Sequence, residues 1–167
     1  MVSGGRREER DVLRDELVQE LLDKRLIANL ATVNADGSVH LVGMWFLWED
    51  GFLLSPTNAR TRKARNLERD PRATVMIDDS RGGLDLRGVT LVCRGDVVRD
   101  EDARNVNRRI HLKYLTERGR ELPEVDRYLS TDDVTLRLQP VRVSAWDLRT
   151  TPGGAALIAS GEFRPLD

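Results

Sequence analysis

Apolar residues recur along this 167-residue chain with two periods, and the switches between them lay out its elements. Val12, Leu13, Leu17, Leu21 and Leu22 fall at helical spacing, so Asp11 to Lys24 is expected to form one amphipathic helix. Leu26 to Val33 has the length and composition of a strand. Asn34-Ala-Asp-Gly37 supplies a turn, and Ser38 to Trp48 the returning strand. Glu49-Asp-Gly51 turns the chain again, into Phe52–Pro56. A short basic helix over Arg62–Arg69 stops at Asp70-Pro71, because proline pushes its predecessor out of helix. Strand Arg72–Ile77 follows, then a flexible connection from Asp78 to Gly83. The next strand, Leu86–Val98, is long, and its Gly88 and Gly95 suggest bulges or close approaches. A helix over Glu101–Glu117, a short one over Glu124–Leu129 and a strand over Val134–Leu148 complete the pattern, with Pro140 at a bulge or edge. From Thr150 the residues look like a loose tail.

Six strands, mostly in hairpins and with short helices between them, predict a mainly β fold with peripheral helices. The architecture expected is a small antiparallel barrel in one domain, residues 1–149, followed by a tail, 150–167. A parallel dinucleotide-binding sheet is disfavoured, because strands do not alternate with helices and no Gly-x-Gly-x-x-Gly follows a strand. Trp45, Phe46 and Trp48 crowd one strand, so alternation should leave part of that aromatic surface on the outer face, for burial against a second copy.

Composition narrows the classes of function. The formal charge of −1 offers no global attraction for nucleic acid or an anionic membrane. No apolar run is long enough to span a bilayer, and the polar N-terminus lacks the apolar core of a signal peptide, so a cytoplasmic address is expected. A single cysteine, Cys93, excludes an intrachain disulfide; set in Leu91-Val-Cys93, it looks like a buried thiol.

Charge is concentrated in one place. Between Thr57 and Arg72 stand Arg60, Arg62, Lys63, Arg65, Arg69 and Arg72, against only Glu68 and Asp70. Cations where a strand meets a helix start favour a phosphate, since backbone N–H groups and the helix dipole point there too. The same residues could equally form a solvated helix face. His40 and His111 lie far apart with no metal-ligand spacing; His111 fits a helix surface, and His40 either a structural place or a site on its strand. No nucleophile motif is present, so if the chain is an enzyme an imported cofactor is expected to carry the reaction.

Leu30-Ala-Thr-Val-Asn-Ala-Asp-Gly-Ser-Val-His-Leu-Val-Gly-Met-Trp45, Ser55-Pro-Thr-Asn58 and Thr61-Arg-Lys-Ala-Arg-Asn-Leu-Glu-Arg-Asp-Pro-Arg72 together resemble the pyridoxamine 5′-phosphate oxidase-like, or flavin/deazaflavin oxidoreductase, superfamily. Leu86-Arg-Gly-Val89 and Ala145-Trp-Asp-Leu148 support the resemblance, which is strongest to the actinobacterial branch that uses coenzyme F420. It implies a homodimeric split β-barrel, the FMN-binding, Greek-key-like split barrel, acting as an F420- or FMN-dependent oxidoreductase on a small conjugated acceptor. A non-catalytic flavin- or haem-binding carrier is the other class the fold admits. By position, the resemblance lays His40, Leu41, Val42, Gly43, Met44 and Trp45 along the cofactor ring and brings Ser55, Pro56 and Thr57 to the ring and ribityl chain. It gives Arg62 and Lys63 to the phosphate, with Arg60 and Arg65 as surplus cations that suit the acidic oligoglutamate tail of F420. It implies that Thr90 comes from the other subunit and that Trp146 lies close to the cofactor in the dimer. Trp146 leads into Asp147-Leu-Arg-Thr-Thr-Pro152, which lacks the basic and histidine positions of pyridoxine-phosphate oxidases.

Overall fold

The computed structural model describes residues 12–80, 87–99 and 101–162. The expected connection Asp78–Gly83 and the start of the next strand at Leu86 lie partly outside them. A single seven-stranded antiparallel sheet runs through the molecule. Its strands are β1 (Ala28–Val33), β2 (Val39–Met44), β3 (Leu47–Glu49), β4 (Phe52–Thr57), β5 (Arg72–Asp78), β6 (Arg87–Val98) and β7 (Val134–Asp147). In space they follow the order β2-β1-β5-β6-β7-β4-β3.

That order corrects the expected strand Ser38–Trp48. The chain leaves the ladder at Trp45-Phe46, and β2 and β3 form opposite edges of the sheet. Two residues cannot cross an open sheet, so the sheet curls until its edges meet. The break is stabilised from both sides. Phe46 is fully buried in the core, and its N–H, having lost a ladder partner, donates to the Tyr114 hydroxyl at 3.3 Å. Trp45 stacks on Tyr114 with ring centroids 5.0 Å apart, and Trp48 packs against the core. The three aromatics thus serve the protein's own packing. The apolar residues left on the outer strand faces are Val39, Leu41, Met76 and Val141, with Ile27 beside them.

Inside the curl lie Leu30, Phe46, Leu53, Val75, Ile77, Val89, Leu91, Leu136 and Leu138. One mouth is covered by α1 (Glu16–Asp23) through Val18, Leu21 and Leu22. The expected helix from Asp11 is interrupted at Arg14-Asp15: Val12 and Leu13 are helical, and Asp15 caps a new start at Glu16, accepting from Leu17 N–H at 2.9 Å. A second cover, α2 (Arg62–Arg69), inserts Ala64 and Leu67. Leu67 can come so close because Gly95 has no side chain: a Cβ there would sit 2.9 Å from Leu67 Cδ2 and 2.6 Å from Leu138 Cδ2. Helices α3 (Glu101–Tyr114), α4 (Glu117–Arg120) and α5 (Pro123–Leu129) fill the β6–β7 connection. A bulge near Cys93 accommodates Pro140, as expected.

Two further expectations are corrected. His111, expected on a helix surface, is only 3% exposed. The loose tail is instead a 3₁₀ turn (Leu148–Thr150) followed by α6 (Pro152–Ser160), which Thr151 caps and left-handed Gly161 ends. No described helix is long and apolar enough to cross a membrane.

Candidate cofactor site

A cleft of ≈ 480 Å³ opens where β2 and β4 end beside the start of α2. One wall is Gly43, Met44 and Trp45, and the floor is Pro56, Thr57 and Asn58. Thr61 and Lys63 come from α2, and Tyr128, Leu129, Thr131 and Asp132 form the far wall. The turn from β4 into α2 is held by its own polar side chains. Asn58 Oδ1 accepts from Arg60 N–H at 2.8 Å, and Asn58 Nδ2 donates to Thr131 C=O at 2.7 Å. Ala59 N–H donates to Asp133 at 2.7 Å, stapling the far wall to the same turn. Thr61 spends its hydroxyl on Asn58 C=O at 2.8 Å and on Thr57, 3.1 Å away, and does not cap α2. The first-turn N–H groups of α2 therefore have no side-chain cap and carry the positive end of its dipole. Asn66 anchors the helix by donating to Thr32 at 3.0 Å and Asn34 at 2.9 Å.

The six cations of the basic segment divide into two groups. Arg69 is committed to Val33 C=O and Asn66, and Arg72 to Asp70, 2.6 Å away. No described carboxylate lies within ion-pairing distance of Arg60, Arg62, Lys63 or Arg65. Lys63 is half-buried in the cleft, where desolvation lowers its pKa and Asp132 partly opposes the shift. Arg60, Arg62 and Arg65 line a neighbouring open groove with Asn34, Asp36 and Ser38. His40 feels the same field: burial first, then Arg62 and Lys63, hold its pKa below the ordinary histidine value.

Of the residues singled out in the sequence, the cleft unites Gly43, Met44, Trp45, Pro56, Thr57 and Lys63, while Arg60 and Arg62 belong to the adjoining groove. His40 and Val42 are half-buried, on the same face of β2 as buried Met44, and Leu41 points outward at 66% exposure. Ser55 is fully buried on the same face of β4 as Thr57, and its hydroxyl has no partner among the described residues. Thr90 and Trp146 stand on the outer sheet face away from this chain's cleft, Trp146 covering Gly88 so closely that a Cβ there would meet its ring at 2.3 Å. Burial pushes the Cys93 thiol up to about 12, which makes it inert. Among the described residues no group of three or more His, Cys, Asp or Glu could hold a metal ion.

The far wall was missed in the sequence, together with what supports it. Behind Asp132, His111 Nε2 lies 3.0 Å from Asp132 Oδ2, and Trp45 meets His111 edge-on. Asn107, one turn earlier, donates to the carbonyls of Asp132 and Val134 at 3.1 and 3.0 Å. A signal existed: Asn107 and His111 fall on the apolar stripe of α3 with Ala103 and Ile110, where polar residues need partners.

A half-buried lysine without an ion pair and an uncapped helix start fit the phosphate end of a ring cofactor. Fold and cleft together define a split-barrel protein. Residues 14–147 match the pyridoxamine 5′-phosphate oxidase family, and the chain belongs to it. Among solved structures it is similar to the conserved hypothetical protein Rv2991 of Mycobacterium tuberculosis, with 29% identity and a TM-score of 0.65 over 78% of this chain and 82% of that one. An F420 reductase shares 25% identity with a TM-score of 0.60, over 75% of this chain and 94% of that one. HutZ, the haem storage protein of Vibrio cholerae, shares the fold at 20% identity and a TM-score of 0.60, over 78% of this chain and 91% of that one. The chain matches no curated protein sequence.

Proposed function

We propose that this protein is a cytoplasmic homodimeric oxidoreductase that binds coenzyme F420 in the cleft and serves hydride transfer to a small conjugated acceptor. The observation that carries this reading is Lys63, half-buried and unpaired at the uncapped start of α2, beside a groove lined by Arg60, Arg62 and Arg65. The cofactor, when bound, supplies the hydride. Lys63, Arg62 and the α2 N–H groups hold its phosphate, and the arginine groove suits an acidic tail. Gly43 to Trp45 line the ring, and Tyr128 and Leu129 help to exclude water from the far side. Similarity to an F420 reductase supports the choice of cofactor. FMN is the second reading, favoured by the same phosphate-fitting groups and by the family itself. In the dimer a second copy covers Val39, Leu41, Met76 and Val141, so that Thr90 and Trp146, on the same outer face, serve the other copy's cleft.

The test is titration of the parent protein and of Lys63→Ala, Arg62→Ala and Arg69→Ala with F420, FMN and riboflavin. Each lost charge-assisted hydrogen bond is expected to cost about 1.5–3 kcal/mol, roughly ten- to a hundredfold in affinity. Lys63→Ala and Arg62→Ala therefore lose the phosphate-bearing cofactors, and riboflavin binding changes little. Arg69→Ala retains affinity, because Arg69 is already spent on Val33 and Asn66. Equal losses in Arg69→Ala and Lys63→Ala would reduce the site to general electrostatics.

A further inference from the structure

The cleft has one lysine and one carboxylate among its lining residues, Lys63 and Asp132. They are not an ion pair: Asp132 is instead engaged by His111, 3.0 Å away on the buried side. His111 is 3% exposed, and its Nδ1 has no partner among the described residues. A neutral imidazole with its proton on Nε2 suits these surroundings. It donates to Asp132 and leaves only a lone pair unmatched, whereas an imidazolium would bury an unpaired N–H. Asp132 is thus engaged by His111 on its buried side and not by an ion pair with Lys63. Its position is rigidly set as well, by Asn107 on its carbonyl and by the staples from Asn58 and Ala59 to its neighbours Thr131 and Asp133.

A carboxylate beside an anion site is a costly feature unless it discriminates between anions. We propose that Asp132, positioned by His111, is a charge selector that admits a cofactor whose phosphate is a singly charged diester and disfavours a doubly charged monoester. The inference rests on the cofactor reading above and deepens it. A phosphomonoester carries roughly −1.5 to −2 at neutral pH. A diester carries a single charge. Lys63, Arg62 and the dipole of α2 together present about two and a half positive charges, of which Asp132 offsets one. One ligand charge is matched by the remainder, and a second is matched only in part while facing Asp132 across a partly desolvated cleft. F420 holds its phosphate as a diester and FMN as a monoester, so the selector favours F420. Riboflavin, without phosphate, is indifferent to it.

The experiment measures affinities of FMN, its methyl phosphodiester, F420 and riboflavin at about pH 8, where the monoester is fully ionised. The parent protein is expected to bind the methyl diester at least about tenfold more tightly than FMN. Asp132→Asn, nearly isosteric, closes that gap to within about threefold by tightening FMN, with riboflavin unchanged. His111→Gln narrows it in the same direction by releasing Asp132 from its place. Equal affinity of the parent for FMN and its diester overturns the proposal, as does an Asp132→Asn variant that shifts both alike. If the parent binds F420 but neither flavin phosphate, Asp132→Asn must admit FMN, and its failure to do so overturns the selector while leaving the F420 reading intact. Binding of none of the four compounds overturns the cofactor reading, and the selector with it.

Discussion

Lys63 and Arg69 are six positions apart on one basic helix, yet they have opposite roles. Arg69 closes a local network with Asn66 and Val33 C=O, whereas Lys63 carries its charge into a half-buried cleft without an ion partner. His40 reports on that charge. Its protonated form is disfavoured by burial and by Arg62 and Lys63, so the folded state takes up a proton at lower pH than the unfolded chain. His40's share of stability is therefore complete above the ordinary histidine value of 6.5. It is lost as pH falls below that value, and it levels off once the folded state also protonates. NMR titration of His40 should give a midpoint below 6.5 that rises in Lys63→Ala. It should rise again when a phosphate-bearing cofactor binds. A midpoint insensitive to Lys63 would mean that the lysine's charge does not reach the inner face of β2.

At the scale of elements, α2 is the part on which the site depends. Its seat is Leu67 over Gly95, and its orientation comes from Asn66, which is 4% exposed and reaches Thr32 and Asn34 across β1. Asn66→Ala strands buried polar partners and should cost about 1–3 kcal/mol in urea unfolding. Cofactor affinity should fall with it even though Asn66 does not line the cleft, because α2 carries Lys63. The sequence made α2 legible as a basic helix after a strand, but its resemblance to a solvated face could not be resolved there. What separates the two readings is which cations find acceptors, and for Arg69 one of these, Val33 C=O, belongs to β1. Helix α6 is a different case. Its Thr151-Pro152 start and Gly161 stop were local signals, and the abundance of small residues between them obscured a helix that its caps define.

For the whole molecule, the exposed apolar face is the feature that calls for a partner. Val39 and Leu41 are each 66% exposed, and Met76 and Val141 share the outer strand faces with them. Sedimentation at micromolar concentration is expected to show a dimer, and Leu41→Glu a folded monomer. A monomeric parent would remove both the dimer and the shared site proposed for Thr90 and Trp146.

Most strands, the hairpin turns, the α2 stop at Asp70-Pro71 and the membership of the split-barrel family were determined by the sequence itself, because each depends on residues close together in the chain. Periodicity, turn residues and a local motif suffice for them. The break at Trp45-Phe46 was not legible, since Leu41 to Trp48 is uniformly apolar. Only closure of the sheet, with Tyr114 replacing a lost ladder partner, places β3 at the opposite edge from β2. The tertiary structure likewise decided that Asp132, 69 positions after Lys63, faces the same cleft, and that His111 holds it from a buried helix face. Such pairings follow from which surfaces pack together, and side chains distant in the chain acquire partners only when that packing forms.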